Sequence, residues 1–306
     1  MITGVPLVDV VRSGVVESVH SGHLVVLNDE VIEVGAPGQP LFPRSSNKPL
    51  QAVGMRRLGL DVPPPHLALA AASHSGEQHH VDIVAAMLAS GGFTEDDLGC
   101  PPAWPIDDSA RTDAHAPRRI TMNCSGKHAA MLLTCRANDW PTKGYLAPDH
   151  PLQQGLRHTV EELAREPVAA VGVDGCGAPL FAFSLLGVAC AYRQIATAEC
   201  GAEREVADAM RGYPHLVAGT GRLATRLMTA VPGLIAKDGA EGVFAAALPN
   251  GAAVAVKIDD GASRAAERAV VAALRAVGVD RPELAAAPVL GGGEPVGVIR
   301  FRPGVL

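Results

Sequence analysis

The chain has 306 residues and a formal net charge of −6; it is 48% hydrophobic, 19% charged and 4% aromatic. That is ample apolar material for a core and too little charge for long disordered stretches. An acidic balance without a basic run disfavours nucleic acid and anionic membranes as partners, and scarce aromatics disfavour a base-stacking surface. The six cysteines (Cys100, Cys124, Cys135, Cys176, Cys190 and Cys200) are scattered, unlike the dense disulfide framework of a small secreted domain. No basic stretch followed by an apolar one opens the sequence, and no 18-residue apolar run occurs. A soluble, cytoplasmic protein with reduced thiols and no membrane span is expected.

Residues 5 to 35 read as strands punctuated by Gly14, Ser21-Gly22 and Asn28-Asp29, and the short connections predict an antiparallel meander. From about residue 47 the pattern turns helical. Val81, Val84, Met87 and Leu88 share one helical face, closed by Ser90-Gly91-Gly92. Leu152, Leu156, Val160 and Leu163 form a second stripe, opened by Pro148-Asp149-His150-Pro151. Residues 216 to 230 read as a further helix. Strands return at Val243 to Leu248 and Ala252 to Ile258, around the hairpin signal Asn250-Gly251. Residues 263 to 277 read as an Ala-rich helix, 285–288 as a loop, and Val296 to Phe301 as a last strand. The expectation is an α+β protein. An antiparallel sheet built from the N- and C-terminal strands (about 1–45 and 230–306) packs with a mainly helical region (about 46–229), as two intimately packed parts of one domain.

Chemistry concentrates in a few short segments. Ser45-Ser46-Asn47-Lys48 reads as a Ser-x-x-Lys motif. A serine hydroxyl is a poor nucleophile until a base takes its proton, and on a helix residue i+3 shares its face, within reach. Arg44 adds positive potential that lowers the lysine's proton affinity, and Pro49 suits a first helical turn, placing Ser45 near the positive end of the dipole. The same motif arises where a serine merely caps a surface helix. Ala72-Ser73-His74-Ser75-Gly76-Glu77 joins an apolar run to a helix, where its serines either face a cleft or cap the helix; His79-His80 are expected on that helix's solvated side.

Within Asn123-Cys124-Ser125-Gly126-Lys127-His128, Cys124 and Lys127 can meet across a first helical turn, and the tight turn Asp174-Gly175-Cys176-Gly177 exposes Cys176. Two thiolates and an amine can hold Zn²⁺ with a fourth position for water. Two buried core cysteines account for the same spacing, and lysine ligates zinc only by losing its proton. Lys257 lies in the otherwise apolar run Ala252 to Ile258, facing either solvent or a cleft in which desolvation makes it a candidate base. Gly219-Thr220-Gly221-Arg222 is too short for a dinucleotide fingerprint, and Gly291-Gly292-Gly293 lacks the Lys-Ser/Thr of a P-loop.

The segments Arg44 to Pro49, Ala72 to Ser75, Asn123 to His128, Pro148 to Pro151, Asp174 to Cys176, Ala218 to Arg222 and Val256 to Gly261, in that order, resemble the bacterial L-asparaginase II family, the thermolabile, inducible rhizobial type. The likeness runs from about residue 12 to the last residues. The hexapeptide at Asn123 is specific, and Ser-x-x-Lys becomes so in its company. The resemblance implies a penicillin-binding-protein or serine β-lactamase-like, glutaminase-like fold. It implies hydrolysis of L-asparagine to L-aspartate and ammonia through a serine activated by a lysine, with two catalytic pairs in one site: Ser45 with Lys48, and Ser73 with Lys257. It further implies substrate contacts from Arg44, His128 and Asp174, a modulating Zn²⁺ held by Cys124, Lys127 and Cys176, no organic cofactor, and a homodimer. Thr220 stands where the family's turn carries an acidic residue, and the Ser45–Ser73 spacing is a little shorter; neither touches the expected nucleophile. A serine-dependent glutaminase or related amidase of the same fold is the nearest alternative. A zinc-binding structural or sensory protein without turnover is the non-enzymatic one.

Overall fold

The structure, a computed structural model, describes residues 4–285 and 287–306. Its strands in chain order are β1 (Val5–Arg12), β2 (Val15–Leu27), β3 (Val31–Val34), β4 (Pro40–Leu41), β5 (Ala170–Val173), β6 (Pro179–Ser184), β7 (Ile235–Gly239), β8 (Val243–Ala247), β9 (Ala253–Ile258), β10 (Pro288–Gly291) and β11 (Glu294–Phe301). The large sheet runs β10-β11-β1-β2-β9-β8-β7, with β3 paired to β2, and its pairs are antiparallel. The expected α+β class therefore holds, with one sheet drawn from both ends of the chain.

β9 is the seam between the two ends. Leu24 opposes Val256 and Val26 opposes Val254 across β2 and β9. Successive strand residues point to opposite faces, and Ala253 to Val256 are all buried, so both faces are covered. Helices Leu185–Thr197 and Ser263–Ala276 both pack on this strand. Apolar burial of this kind contributes roughly 25 cal/mol per Å² removed from water. One contiguous core cluster runs from Leu7 through the helical region to Ile299.

In the helical region, Lys48–Arg57 is buried nearly all round and packs on helices Pro151–Ala164, Ser125–Ala137 and Gly201–Gly212. The stripe Leu152, Leu156, Val160 and Leu163 is fully inside, and Pro151 opens that helix. Helix Gln78–Ser90 ends at Gly91, where the Ser-Gly-Gly signal stands.

The expected helix over 216–230 is instead two, Pro214–Val217 and Leu223–Ala230. Gly219 at φ +141° and Gly221 at φ +74° break it, and a Cβ on Gly219 would sit 2.1 Å from Ser75 Oγ. The small sheet β4-β6-β5 was not foreseen, nor were β7 and β10. Of the stretch read as a loop at 285–288, residue 286 lies outside the described residues, 282–285 form a 3₁₀ turn, and Pro288 begins β10. No helix among the described residues is long and apolar enough to cross a membrane.

Candidate active site

Lys48 is the hub of the site. The 3₁₀ turn Arg44–Asn47 leads into helix Lys48–Arg57, with Pro49 in the first α-helical turn. Lys48 is 1% exposed, and its Nζ donates to Ala72 O at 2.7 Å, Ser73 Oγ at 2.8 Å and Cys124 Sγ at 3.0 Å. Three acceptors match the three hydrogens of an ammonium, as burial of a charge requires. Ser45 is not among them, although Ser-x-x-Lys spacing pairs it with Lys48; the amine's hydrogens all go to inward acceptors. Ser45 itself is half-buried. Arg44 before it holds φ +51°, a left-handed conformation that costs a non-glycine residue about 1–3 kcal/mol and turns the chain sharply into Ser45.

The second lysine of the site is Lys237, which sequence reasoning missed. β7 is the edge strand of the sheet and ends Lys237-Asp238-Gly239 beside the Arg44–Asn47 turn. Ser46 Oγ donates to Lys237 O at 3.2 Å. A Cβ on Gly239 would stand 2.6 Å from Pro43 O and 2.9 Å from Ser46 Oγ, so only glycine permits this approach. Lys237 is fully buried, and its Nζ donates to Asp238 O at 2.7 Å and to Asp238 Oδ1 at 2.8 Å. Burial pulls its pKa down from 10.5 to about 8; Asp238 opposes the shift, while Arg222 and Lys48 add to it. Arg222 clamps the two halves of the site: Nη2 pairs with Asp238, and Nη1 donates to Ser73 O at 2.7 Å.

Lys257, expected beside Ser73, is elsewhere. It lies on β9, two strands in from the β7 edge, and its Nζ donates to Glu241 O and to Ile258 O. Neighbouring strands are about 4.8 Å apart, which sets β9 roughly 10 Å from β7. Ser73 has Lys48 as its hydrogen-bond partner, not Lys257.

Sulfur groups adjoin the hub. Cys124 precedes helix Ser125–Ala137 as its N-cap residue, and Cys176 follows Asp174 in a turn closed by Gly177 N–H donating to Asp174 O at 2.8 Å. Ligand atoms of Cys124, Asp174 and Cys176 all lie within 4.8 Å of one another. Two soft sulfurs and one carboxylate oxygen suit Zn²⁺, so the donors present fit that ion. A hydrogen bond from Cys124 pushes the Cys176 thiol far down, with Lys127 adding to it, and the same bond together with burial pushes the Cys124 thiol up. Lys127 Nζ donates to Cys176 Sγ at 3.2 Å. Burial works against its charge, but Cys176 and Cys124 outweigh burial and raise its pKa, so here it donates rather than ligates.

Arg44 and Asp174, expected to touch substrate, satisfy each other: Arg44 Nε donates to Asp174 Oδ1 at 2.8 Å. His128 is fully buried, with Nδ1 2.7 Å from Tyr145 Oη. His74 places Nε2 2.9 Å from Ser125 Oγ and accepts from Gly76 N–H at 3.2 Å, which fixes the loop carrying Ser73. Neither Ser73 nor Ser75 caps a helix; Ser75 Oγ donates to Ala218 O at 3.1 Å. His80 is not on a solvated face but 0% exposed.

Arg222 lies in the family-like segment Ala218 to Arg222 but had no role attached, and Asp238 carried no signal; both are far in sequence from Ser73. Lys237 had the same signal as Lys257, a lysine in an apolar run, here Leu234-Ile235-Ala236-Lys237.

No curated protein matches the chain. The L-asparaginase II family matches over residues 8–301, a span that takes in the serines, the buried lysines Lys48, Lys127 and Lys237, and the cysteine cluster. The chain belongs to the L-asparaginase II family of amide hydrolases.

Proposed function

We propose that the protein hydrolyses L-asparagine to L-aspartate and ammonia, with Ser45 as nucleophile and Lys48 and Ser73 as proton carriers. The observation that carries this is the 2.8 Å contact from Lys48 Nζ to Ser73 Oγ, three residues on from a half-buried Ser45 that Lys48 leaves free. Lys48, once deprotonated and turned from its inward acceptors towards Ser45, takes the Ser45 proton while Ser45 Oγ attacks the side-chain amide carbon. Backbone N–H groups near the serine are assigned the stabilisation of the oxyanion. Ser73 passes the proton from Lys48 to departing ammonia. Water then cleaves the ester, giving L-aspartate and restoring Ser45. Lys237 as the free amine removes one positive charge from the surroundings of Lys48 and lets Lys48 cycle.

The Arg44–Asp174 pair offers a carboxylate for the substrate ammonium and a guanidinium for its carboxylate. Zn²⁺, when bound, supplies fixed positive charge beside that pair; Cys124, Cys176 and Asp174 would hold it, with Lys127 joining only by giving up its proton. The test is ammonia release from L-asparagine and L-glutamine under identical conditions. Preference for asparagine supports the reading, and preference for glutamine replaces it with the glutaminase alternative. No release from either by zinc-loaded protein favours a non-enzymatic role.

A further inference from the structure

We propose a second divalent-cation site, free of sulfur, formed by Glu77, His79 and His80 at the start of helix Gln78–Ser90. It takes a borderline transition ion such as Zn²⁺ through two imidazole nitrogens and one carboxylate oxygen. Each of the three residues offers a ligand atom, and these atoms lie within 4.8 Å of one another.

The hydrogen bonding of His80 defines its free nitrogen. His80 is 0% exposed, and its Nε2 lies 2.9 Å from the carbonyl oxygen of His215. A carbonyl oxygen only accepts, so Nε2 carries the proton and Nδ1 carries the lone pair. That Nδ1 is buried without a hydrogen-bond partner among the described residues and lies 4.0 Å from Glu77 Oε1. Two acceptors facing each other repel; a cation between them satisfies both. His79 Nε2 is a second buried nitrogen without a hydrogen-bond partner among the described residues. Its ring is held by tilted packing on His80 and His215, at centroid distances of 4.0 and 5.5 Å.

The surroundings are those of an oriented ligand set. Thr220 N–H and Thr220 Oγ1 donate to the two oxygens of Glu77 at 2.8 and 2.6 Å, fixing the carboxylate while leaving lone pairs over. The His215 carbonyl does the same for His80. Glu77 and His79 border a cavity of about 710 Å³ shared with Asp107 and Thr220, which gives an ion an entry path and room for water in its remaining positions. Imidazole and carboxylate together suit Zn²⁺, Ni²⁺ or Co²⁺. Stacking alone explains the place of the His80 ring, 5.1 Å from that of His74, but not why its lone pair faces a carboxylate. Glu77 also grips the loop that carries Arg222, so an ion here braces the guanidinium that holds Ser73 O.

The experiment uses metal-free protein and Co²⁺ as a spectroscopic probe. Thiolate-bound Co²⁺ gives strong near-ultraviolet charge transfer; a nitrogen and oxygen set gives visible d–d bands alone. The wild type is expected to show a component of the second kind. The Cys124→Ser/Cys176→Ser variant should keep it, and His79→Ala and Glu77→Gln should weaken its binding tenfold or more. Zn²⁺ should raise the melting temperature of the cysteine variant and not that of the cysteine variant carrying His79→Ala. If the cysteine variant does not fold, the wild type and the single variants decide alone. Only thiolate-type Co²⁺ in the wild type, or an unchanged d–d component in His79→Ala, overturns the site.

Discussion

Lys48 Nζ touches Ser73 Oγ at 2.8 Å and Cys124 Sγ at 3.0 Å, so one ammonium joins the hydroxyl side of the site to its sulfur side. Any change in the charge of the sulfur cluster is felt at the amine to which the proposed mechanism assigns the proton transfer. The proposed proton carrier is thus in direct contact with a proposed metal-binding residue.

Ser45→Ala is expected to lower ammonia release by about 10³-fold or more, with the melting temperature nearly unchanged. Ser45 is half-buried and is not one of the acceptors of Lys48, and replacements away from such contacts stay within about ±0.5 kcal/mol. Ser73→Ala should cost about 10²- to 10⁴-fold, the range for a lost proton carrier. If Ser73→Ala proves silent on turnover and Ser45→Ala proves mild, the assigned roles are wrong. An acyl-enzyme trapped on Ser73 would exchange them.

Activity is expected to rise with pH through about 8, the range in which Lys237 loses its proton. Stability follows the same group. The native pKa of about 8 lies below the ordinary 10.5, so the unfolded chain binds more protons between those values. Stability should therefore climb across that window, by about 3 kcal/mol in all, and the full cost of burying a charged Lys237 is present below pH 8. Lys237→Met should flatten both profiles. Arg222→Gln removes a charge that lowers the Lys237 pKa, and should move the activity rise to higher pH. Denaturant titrations and rate profiles from pH 6 to 10 read all three; unchanged profiles in Lys237→Met remove Lys237 from the scheme.

Cys124→Ser/Cys176→Ser should abolish zinc at the sulfur cluster and raise KM more than it lowers kcat, because the metal is assigned to substrate binding. Metal content and kinetics are measured on the same samples. Zinc-treated wild type with no thiolate-bound metal would rule out the sulfur site. Collapse of kcat at constant KM would keep the site and reject the modulating role.

A homodimer is proposed; Val15, Val16 and Val19 on β2 and Val31 and Ile32 on β3 are apolar residues left open to solvent. Light scattering at working concentration should give twice the 31.6 kDa chain mass. A monomer there rejects the proposal.

The sheet from both termini was legible because Asn250-Gly251 and the alternating segments around residues 5 to 35 are local signals. The partner of Ser73 was not. Lys237 and Lys257 stand in equally apolar runs, and only the sheet order, with β7 at the edge and β9 inside, tells them apart. Strand order is decided by pairings such as Gly22 with Ile258, which leave no mark on either segment alone. The Ser45–Lys48 pairing was read from helical spacing, yet a buried ammonium is bound by whatever acceptors surround it, and Ala72, Ser73 and Cys124 come from distant parts of the chain. The break at Gly219 was hidden for a similar reason: its cause is Ser75, closing on it from another loop.

Because β9 stands between β2 and β8, the strand bearing Lys237 joins the sheet through a segment that leaves the ribosome after it. A nascent chain stopped at Gly239 already holds both serines, Lys48, Lys237 and the cysteine cluster, but not β8, the strand with which the edge strand pairs. Closing β2 on β9 spans well over two hundred residues, a slow, non-local pairing. Catalytic competence should therefore appear abruptly during synthesis, once Ile258 has emerged, rather than growing with chain length.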